Sequence, residues 1–96
     1  MLGSIEKIID NKVFIKLAFD PKNAKSLLNL YVFITDNENS FIGEIIDIDK
    51  VNAVIMLLGE YKDNDFTYGI IKKPSLSAKI DLISSDSVAK LISYPL

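Results

Sequence analysis

Apolar and polar residues alternate along most of this chain with the two-residue period that is typical of β-strands. Val13, Ile15 and Leu17, for example, are separated by Phe14 and Lys16, so one side of the segment is more apolar than the other. Short polar clusters separate the alternating segments. The pattern predicts six or seven strands, in the ranges 4–9, 13–17, 31–35, 41–49, 52–58, 66–71 and 78–83.

Two of the polar clusters predict tight turns between neighbouring strands. Asp10-Asn11 has the length of a two-residue hairpin loop, and both residue types tolerate a positive φ. The first two strands should therefore pair antiparallel. The segment 36–39, Asp-Asn-Glu-Asn, predicts a second turn between the third and fourth strands.

Two segments change from the strand period to the helical one. Pro21 suits the first position of a helix, and Asn29 suits a left-handed C-terminal cap, so a two-turn connector helix is predicted over 21–28. Near the end of the chain, Ser84 to Asp86 form an N-cap cluster before Val88, Leu91 and Ile92. These predict a short C-terminal helix with one apolar side.

The fourth predicted strand has an irregular pattern. Ile46 and Ile48 fall on one side, with Asp47 and Asp49 on the other, but the same alternation puts Glu44 on the Ile46 side. A bulge at Gly43 would correct the register, since glycine inside a strand often marks one. Otherwise Glu44 lies near the mouth of a barrel or pairs with a lysine.

The stretch around Pro74 predicts the corner of a closed barrel. The apolar fifth strand ends at Gly59-Glu60-Tyr61, and the sixth is followed by Lys72-Lys73-Pro74. Proline cannot donate to a sheet ladder, and Gly69 allows the strand to bend before it. We therefore predict one domain over residues 1–96, mainly all-β: a small closed β-barrel of six to seven strands with two short helices.

Composition narrows the range of functions. The 96 residues include no Cys, His or Arg, which excludes thiolate chemistry, histidine catalysis and bidentate binding of phosphate. The net charge of −2 argues against a dominant nucleic-acid surface. No signal peptide or apolar run of membrane-spanning length is visible, so we expect a cytoplasmic protein without a membrane partner.

Enzyme activity is a weaker hypothesis for this chain. The best set of carboxylates is Glu44, Asp47 and Asp49, with Glu60 as a further member. Asp47 and Asp49 are two residues apart on a strand, where such a pair can bind Mg²⁺ or Ca²⁺. The same pair can instead protect a strand edge against aggregation. We predict no catalytic residue, cofactor or metal in this chain.

The pattern of glycines and one proline resembles the N-terminal HAS-barrel of HerA-like hexameric ATPases, over nearly the whole chain. It differs from that family at Ser77 and at Asn29-Leu30, where the family often has glycine. The residues that carry the resemblance are Gly3, Gly43, Gly59, Glu60, Gly69, Pro74 and Leu76.

The resemblance implies a non-catalytic barrel on a DNA-translocating ATPase, where it supports assembly of a homo-hexamer and docks a nuclease or effector protein. No GxxxxGK[ST] motif is present, so the chain is either a free-standing relative or, as we expect, an N-terminal fragment without the motor domain. Phe14, Phe33 and Tyr61 are candidate interface residues, or they cover the second face of the barrel.

An alternative function is binding of single-stranded nucleic acid by a small OB-like barrel. Such surfaces combine aromatic rings with cations, and Tyr68, Lys72 and Lys73 form the candidate cluster, which Tyr31 or Phe33 would extend. The excess of acidic over basic residues and the lack of arginine argue against binding of nucleic acid. We expect little direct DNA binding by this chain.

Overall fold

A computed structural model describes residues 2–22, 24–37, 39–62, 65–69 and 73–84. Within them the fold is mostly β: seven strands form one curled antiparallel sheet, and a single 3-10 turn joins the second and third strands. The elements are β1 (Gly3–Ile9), β2 (Lys12–Leu17), the 3-10 helix (Ala24–Leu27), β3 (Tyr31–Asp36), β4 (Asn39–Asp49), β5 (Asn52–Lys62), β6 (Asp65–Tyr68) and β7 (Lys79–Ile83).

The strands follow the spatial order β1-β2-β5-β4-β3-β7. β3, β4 and β5 are consecutive antiparallel neighbours, and β2 returns to lie beside β5, which is the Greek-key arrangement. β6 lies off this path and pairs with the end of β5. At the two ends of the path, the Leu2 amide donates a hydrogen bond of 2.8 Å to the Ile80 carbonyl, so β1 and β7 approach each other.

The concave side of the curled sheet encloses the main core. Alternate residues of each strand supply it, as period two requires. Val13 and Ile15 come from β2, Val32 and Ile34 from β3, and Ile80 from β7, and all five are buried. The alternation visible in the sequence therefore predicts this side of the sheet correctly.

Tight turns depend on residues that accept a positive φ. Asp10 joins β1 to β2 with φ of 55°, and the register Ile9 opposite Lys12 confirms the predicted two-residue hairpin. Asn37 has φ of 49° between β3 and β4, and Asn29 has φ of 68° after the 3-10 helix. Asn and Asp reach this region at lower cost than other side chains.

The connector between β2 and β3 differs from the prediction. Among the described residues of the range 21–28, where the pattern predicted a two-turn helix, the structure has one 3-10 turn, Ala24–Leu27. One turn is enough to connect the two strands, because it already places Leu27 in the core. After this turn, the Asn29 amide donates a hydrogen bond to the Ile45 carbonyl of β4. The predicted C-terminal helix, with Val88, Leu91 and Ile92, lies outside the described residues.

Two strands are longer or shorter than predicted. β5 does not end at Gly59-Glu60-Tyr61 but continues to Lys62, because β4 pairs with it on one edge and β6 on the other. β6 ends at Tyr68, and the Ile70-Ile71 part of the predicted strand lies outside the described residues. Pairing partners far away in sequence fix these ends, so the local pattern misses them.

In the second half of β4, Ile48 packs against the core and Asp47 and Asp49 are exposed as predicted, but Ile46 departs from the predicted pattern. The register shifts between Ile45 and Asp47, which leaves Ile46 as an extra residue opposite β5. Ile45 is therefore in the core, whereas Ile46 is 37% exposed. A second shift, between Ile42 and Gly43, has its extra residue on β5 at Leu58, so the irregularity at Gly43 exists but does not lie on β4.

Candidate interaction surface

Aromatic side chains gather on the convex side of the sheet, opposite the core. Directly opposed residues of antiparallel strands point to the same side. Ile42 of β4 lies opposite both Phe33 and Gly59, and Tyr61 of β5 lies opposite Phe66. We call this surface the outer aromatic face and define it by Ile42 and the five rings of Tyr31, Phe33, Tyr61, Phe66 and Tyr68.

A small second core holds this face together. Ile42 has no exposed surface, although it points away from the main core. Five half-buried apolar residues pack against it: Tyr31, Phe33, Leu58, Phe66 and Ile83. Their contacts shield Ile42 from water, and their own outer surfaces stay partly accessible. The result is a partly accessible apolar surface that packs on a fully buried residue.

The rings interlock edge to face, the geometry that aromatic quadrupoles favour. Phe33 and Tyr61 have centroids 6.1 Å apart with their planes at 70°. Phe66 and Tyr68 are 4.8 Å apart at 86°. Tyr68 remains 57% exposed at the end of β6. These contacts link β3, β5 and β6 into one surface.

Gly59 makes room for one of the rings. A Cβ atom at this position would lie 2.6 Å from Cζ of Phe66, and it would also collide with the carbonyl oxygen of Thr67. The missing side chain therefore lets the Phe66 ring lie over β5 beside Ile42. This is a physical reason for glycine at one of the positions that carry the family resemblance.

Carboxylates lie among and beside the rings. Glu44 is half-buried, and its direct cross-strand neighbours are Tyr31 on β3 and Met56 on β5. Asp81 of β7 is opposite Phe33. Glu44 therefore lies neither at a barrel mouth nor directly opposite a lysine, the two arrangements that the sequence left open. Its cross-strand row on the convex side also contains Lys12 of β2, which lies two strands away beyond Met56.

A separate groove of about 350 Å³ lies at the other end of the convex side, where β1 and β2 meet the ends of β4 and β5. Glu6, Asp47 and Asp49 line it together with Phe14. The Lys7 ammonium lies 4.8 Å from the centroid of the Phe14 ring, a cation–π contact. Phe14 therefore belongs to this groove, whereas Phe33 and Tyr61, predicted with it as interface residues, belong to the outer aromatic face.

The acidic residues of this groove were considered as a site for a divalent cation. Among residues 2–22, 24–37, 39–62, 65–69 and 73–84, no group of three or more acidic side chains has a geometry that could hold a metal ion. Asp47 and Asp49 do share the groove, as their spacing suggested. Glu44 and Glu60 are not among its lining residues, so the four-carboxylate set considered from the sequence is not brought together there.

The corner around Pro74 is held by a side chain from β3. The two carboxylate oxygens of Asp36 accept hydrogen bonds from the amide and the hydroxyl of Ser75, at 2.8 and 3.0 Å. The Ala78 amide then donates to the Ser75 carbonyl and closes a turn before β7. Pro74 itself is buried and lies outside any strand, and Gly69 has φ of 89°. Gly69 thus has the backbone freedom that the predicted bend requires. β6 already ends at Tyr68 and residues 70–72 lie outside the described part of the chain, so the end of pairing at Pro74 stays a prediction.

The other predicted residues occupy varied places. Gly3 and Gly43 are buried in strands, Glu60 is half-buried on β5, and Leu76 is 58% exposed in the turn before β7. Of the candidate nucleic-acid cluster, Tyr68 and Lys73 are exposed. Lys72 lies outside the described residues.

Sequence reasoning missed Ile42 and Phe66 as members of the outer aromatic face, and it did not place Glu44 beside Tyr31. One signal was present: Tyr31 and Phe33 occupy the alternate positions of β3 between the core residues Val32 and Ile34. Two aromatic residues on the outward side of one strand indicate a covered or binding surface rather than a solvated one.

Comparison of the sequence with models of protein families and with curated proteins finds no match. The relation to HerA-like barrels therefore stays a prediction that rests on the glycine and proline pattern. In the described part of the chain, no helix has the length and apolar character needed to cross a bilayer.

Proposed function

We propose that this chain is the non-catalytic N-terminal barrel of a HerA-like DNA-translocating ATPase, where it supports ring assembly and docks a partner protein. The observation that carries the docking role is the outer aromatic face. Aromatic side chains are enriched at the centres of protein interfaces, because they bury a large area at low conformational cost. Here three of them pack on a buried isoleucine on one side of a sheet, and two more contact those rings edge to face.

Closure of the sheet into a barrel is part of the same proposal. The hydrogen bond from Leu2 to Ile80 joins the end strands of the path, and Ala18 donates from the β2 end to the Leu2 carbonyl. A closed barrel has no unpaired strand edges, and the fixed register of its strands keeps the outer surface rigid. Such rigidity suits a module whose role is to position other parts.

The parentage has a direct test. We expect the natural reading frame to continue beyond Leu96 into a P-loop motif, and we expect its full product to form a hexamer in light scattering. The 96-residue chain alone should be a monomer or a weak oligomer, because motor domains hold such rings together. A reading frame without a P-loop, or a full product that stays monomeric, would contradict the ATPase assignment.

Single-stranded nucleic acid is the second candidate ligand, because Tyr68 exposes a ring that a base can stack on. Glu44 and Asp81 beside the rings oppose this, since they repel phosphates. We expect negligible binding of oligo-deoxythymidine at physiological salt, measured by fluorescence anisotropy. Micromolar or tighter binding would favour this candidate over protein docking.

A further inference from the structure

The three central strands of the sheet carry charged residues in a regular arrangement on the convex side. β5 lies between β2 and β4, and its residues have direct cross-strand neighbours on both. Side chains two residues apart on a strand point to the same side, and the extra residue Ile46 keeps Glu44 and Asp47 together on the convex side. We call the surface formed by three such cross-strand rows the central strip: Lys12, Met56 and Glu44; Phe14, Val54 and Asp47; and Lys16, Asn52 and Asp49.

In every row of the central strip the β2 side is positive and the β4 side is negative. The exposed Lys12 and Lys16 supply the positive charge in two rows. In the remaining row the Lys7 ammonium of β1 lies 4.8 Å from the centroid of the Phe14 ring, so it brings a cation to the same side. The carboxylates on the β4 side are those of Glu44, Asp47 and Asp49. The charges are therefore arranged antisymmetrically about β5, whose own three side chains in these rows are neutral.

This arrangement makes the central strip complementary to itself. A two-fold axis alongside β5 exchanges the β2 side of one copy with the β4 side of another, so every cation meets a carboxylate. Lys12 of one copy then faces Glu44 of the second, and Lys16 faces Asp49, with each pair occurring twice. The half-buried apolar side chain of Met56 lies between the charges, and an apolar centre with a charged surround is typical of protein interfaces.

We propose that the central strip binds a second copy of this chain, in a symmetric dimer stabilised by reciprocal lysine–carboxylate pairs. The groove of about 350 Å³ lies within the strip and gives side chains of the second copy a recess. Other orientations of the second copy bring like charges together, so the charges also select this arrangement. Exposed charge pairs contribute little each, so the dimer is weak. This proposal goes beyond the docking role of the outer aromatic face and does not depend on the ATPase assignment.

Sedimentation equilibrium of the 96-residue chain tests the proposal. The parent chain should form a dimer with a dissociation constant below about 1 mM at low salt, and the dimer should dissociate as salt screens the pairs. An acidic variant with Lys12→Glu and Lys16→Glu places like charges opposite each other, as does a basic variant with Glu44→Lys and Asp49→Lys. Each variant alone should self-associate about tenfold more weakly or less. An equimolar mixture of the two should form a heterodimer, because every facing pair is again of opposite charge.

Two controls separate facing charges from net charge. A variant that combines all four substitutions has the net charge of the parent chain and should dimerise as the parent does. Lys22→Glu with Lys79→Glu removes two exposed lysines outside the strip, as the acidic variant removes two inside it, and should retain the dimer. If Glu44→Lys unfolds the chain, Lys16→Glu and Asp49→Lys carry the same test by themselves, because both positions are exposed.

Several results would overturn the proposal. A parent chain that stays monomeric at about 1 mM would mean that another part of the chain or a different protein covers the strip. Charge variants that dimerise as the parent does, a mixture of them that does not pair, or a control that loses as much affinity as the acidic variant would each reject the reciprocal pairs. These results are separable from those of the ATPase assignment, because a reading frame with or without a P-loop leaves the dimer of this chain unaffected.

Discussion

Truncation of Ile42 tests whether the convex side of the sheet carries a second core. Ile42 is completely buried, yet its neighbours Phe33 and Phe66 are only half-buried and can move inward. Replacing a buried isoleucine with alanine costs about 2–5 kcal/mol, with the lower values where the site can collapse. We therefore expect Ile42→Ala to lower the free energy of unfolding by about 2–3 kcal/mol. Ile42→Val should cost about 1 kcal/mol.

Thermal and urea unfolding of the purified chain measure this loss. A destabilisation of about 1 kcal/mol lowers the melting temperature of a domain this small by about 4–8 °C, so Ile42→Ala should lower it by roughly 10–20 °C. Ile46→Ala is the matched control: it is the same substitution on the same strand, at the bulge residue that is 37% exposed. Its cost should stay below about 1 kcal/mol.

Equal losses in Ile42→Ala and Ile46→Ala would refute the second core. A loss below about 1 kcal/mol in Ile42→Ala would do the same, because such values are typical of surface substitutions. A change in the dependence of the free energy on urea would instead indicate that the variant altered the unfolded state.

Four further substitutions test local features of the fold. Asp36→Ala removes both hydrogen bonds to Ser75 and should cost about 1–3 kcal/mol in urea unfolding. Ser75→Ala keeps the amide bond to Asp36 and removes the hydroxyl contacts to Asp36 and Ser77, so it should cost less. A cost within error for Asp36→Ala would show that these bonds do not hold the corner. Gly59→Ala should displace Phe66 and speed amide hydrogen exchange in β6, with unchanged exchange contradicting the close approach. Asp10→Gly should be nearly neutral or stabilising, since Asp10 has a positive φ; a loss above about 1 kcal/mol in thermal unfolding would mean that its side chain supports the turn.

Local chemistry made much of the fold predictable. Period-two alternation locates most of the strands, because the concave side excludes water and each strand must present its apolar residues there, and a nearly continuous apolar run locates β5. The hairpin at Asp10-Asn11 and the left-handed Asn29 follow from side chains that tolerate a positive φ. These features depend on residues close together in the chain.

Features that depend on distant partners were not predictable in the same way. Leu58 and Ile46 are extra residues only relative to the strand opposite them, so the bulges that reset β4 cannot be read from its own pattern. β5 extends to Lys62 because β6 and β4 pair with its end. In both cases the pairing with another strand determined the structure. A register shift of one residue moves every side chain that follows to the opposite face of the sheet.

The candidate surface was predicted only in part. Phe33 and Tyr61 were expected as interface residues and do lie in contact, 6.1 Å apart, but Phe14 was grouped with them and lies in the separate groove. The order of strands in the sheet decides which aromatic residues meet. The position of Glu44 on the convex side likewise follows from its register with Tyr31.

A nuclear magnetic resonance titration of the isotope-labelled chain with a short amphipathic peptide of leucine, tryptophan and lysine tests the central claim most directly. If the outer aromatic face is the docking surface, the largest changes in amide chemical shift will fall at Tyr31, Phe33 and Tyr61 and their strand neighbours. Changes centred on Glu6 and Phe14, or spread evenly over the sheet, would contradict it.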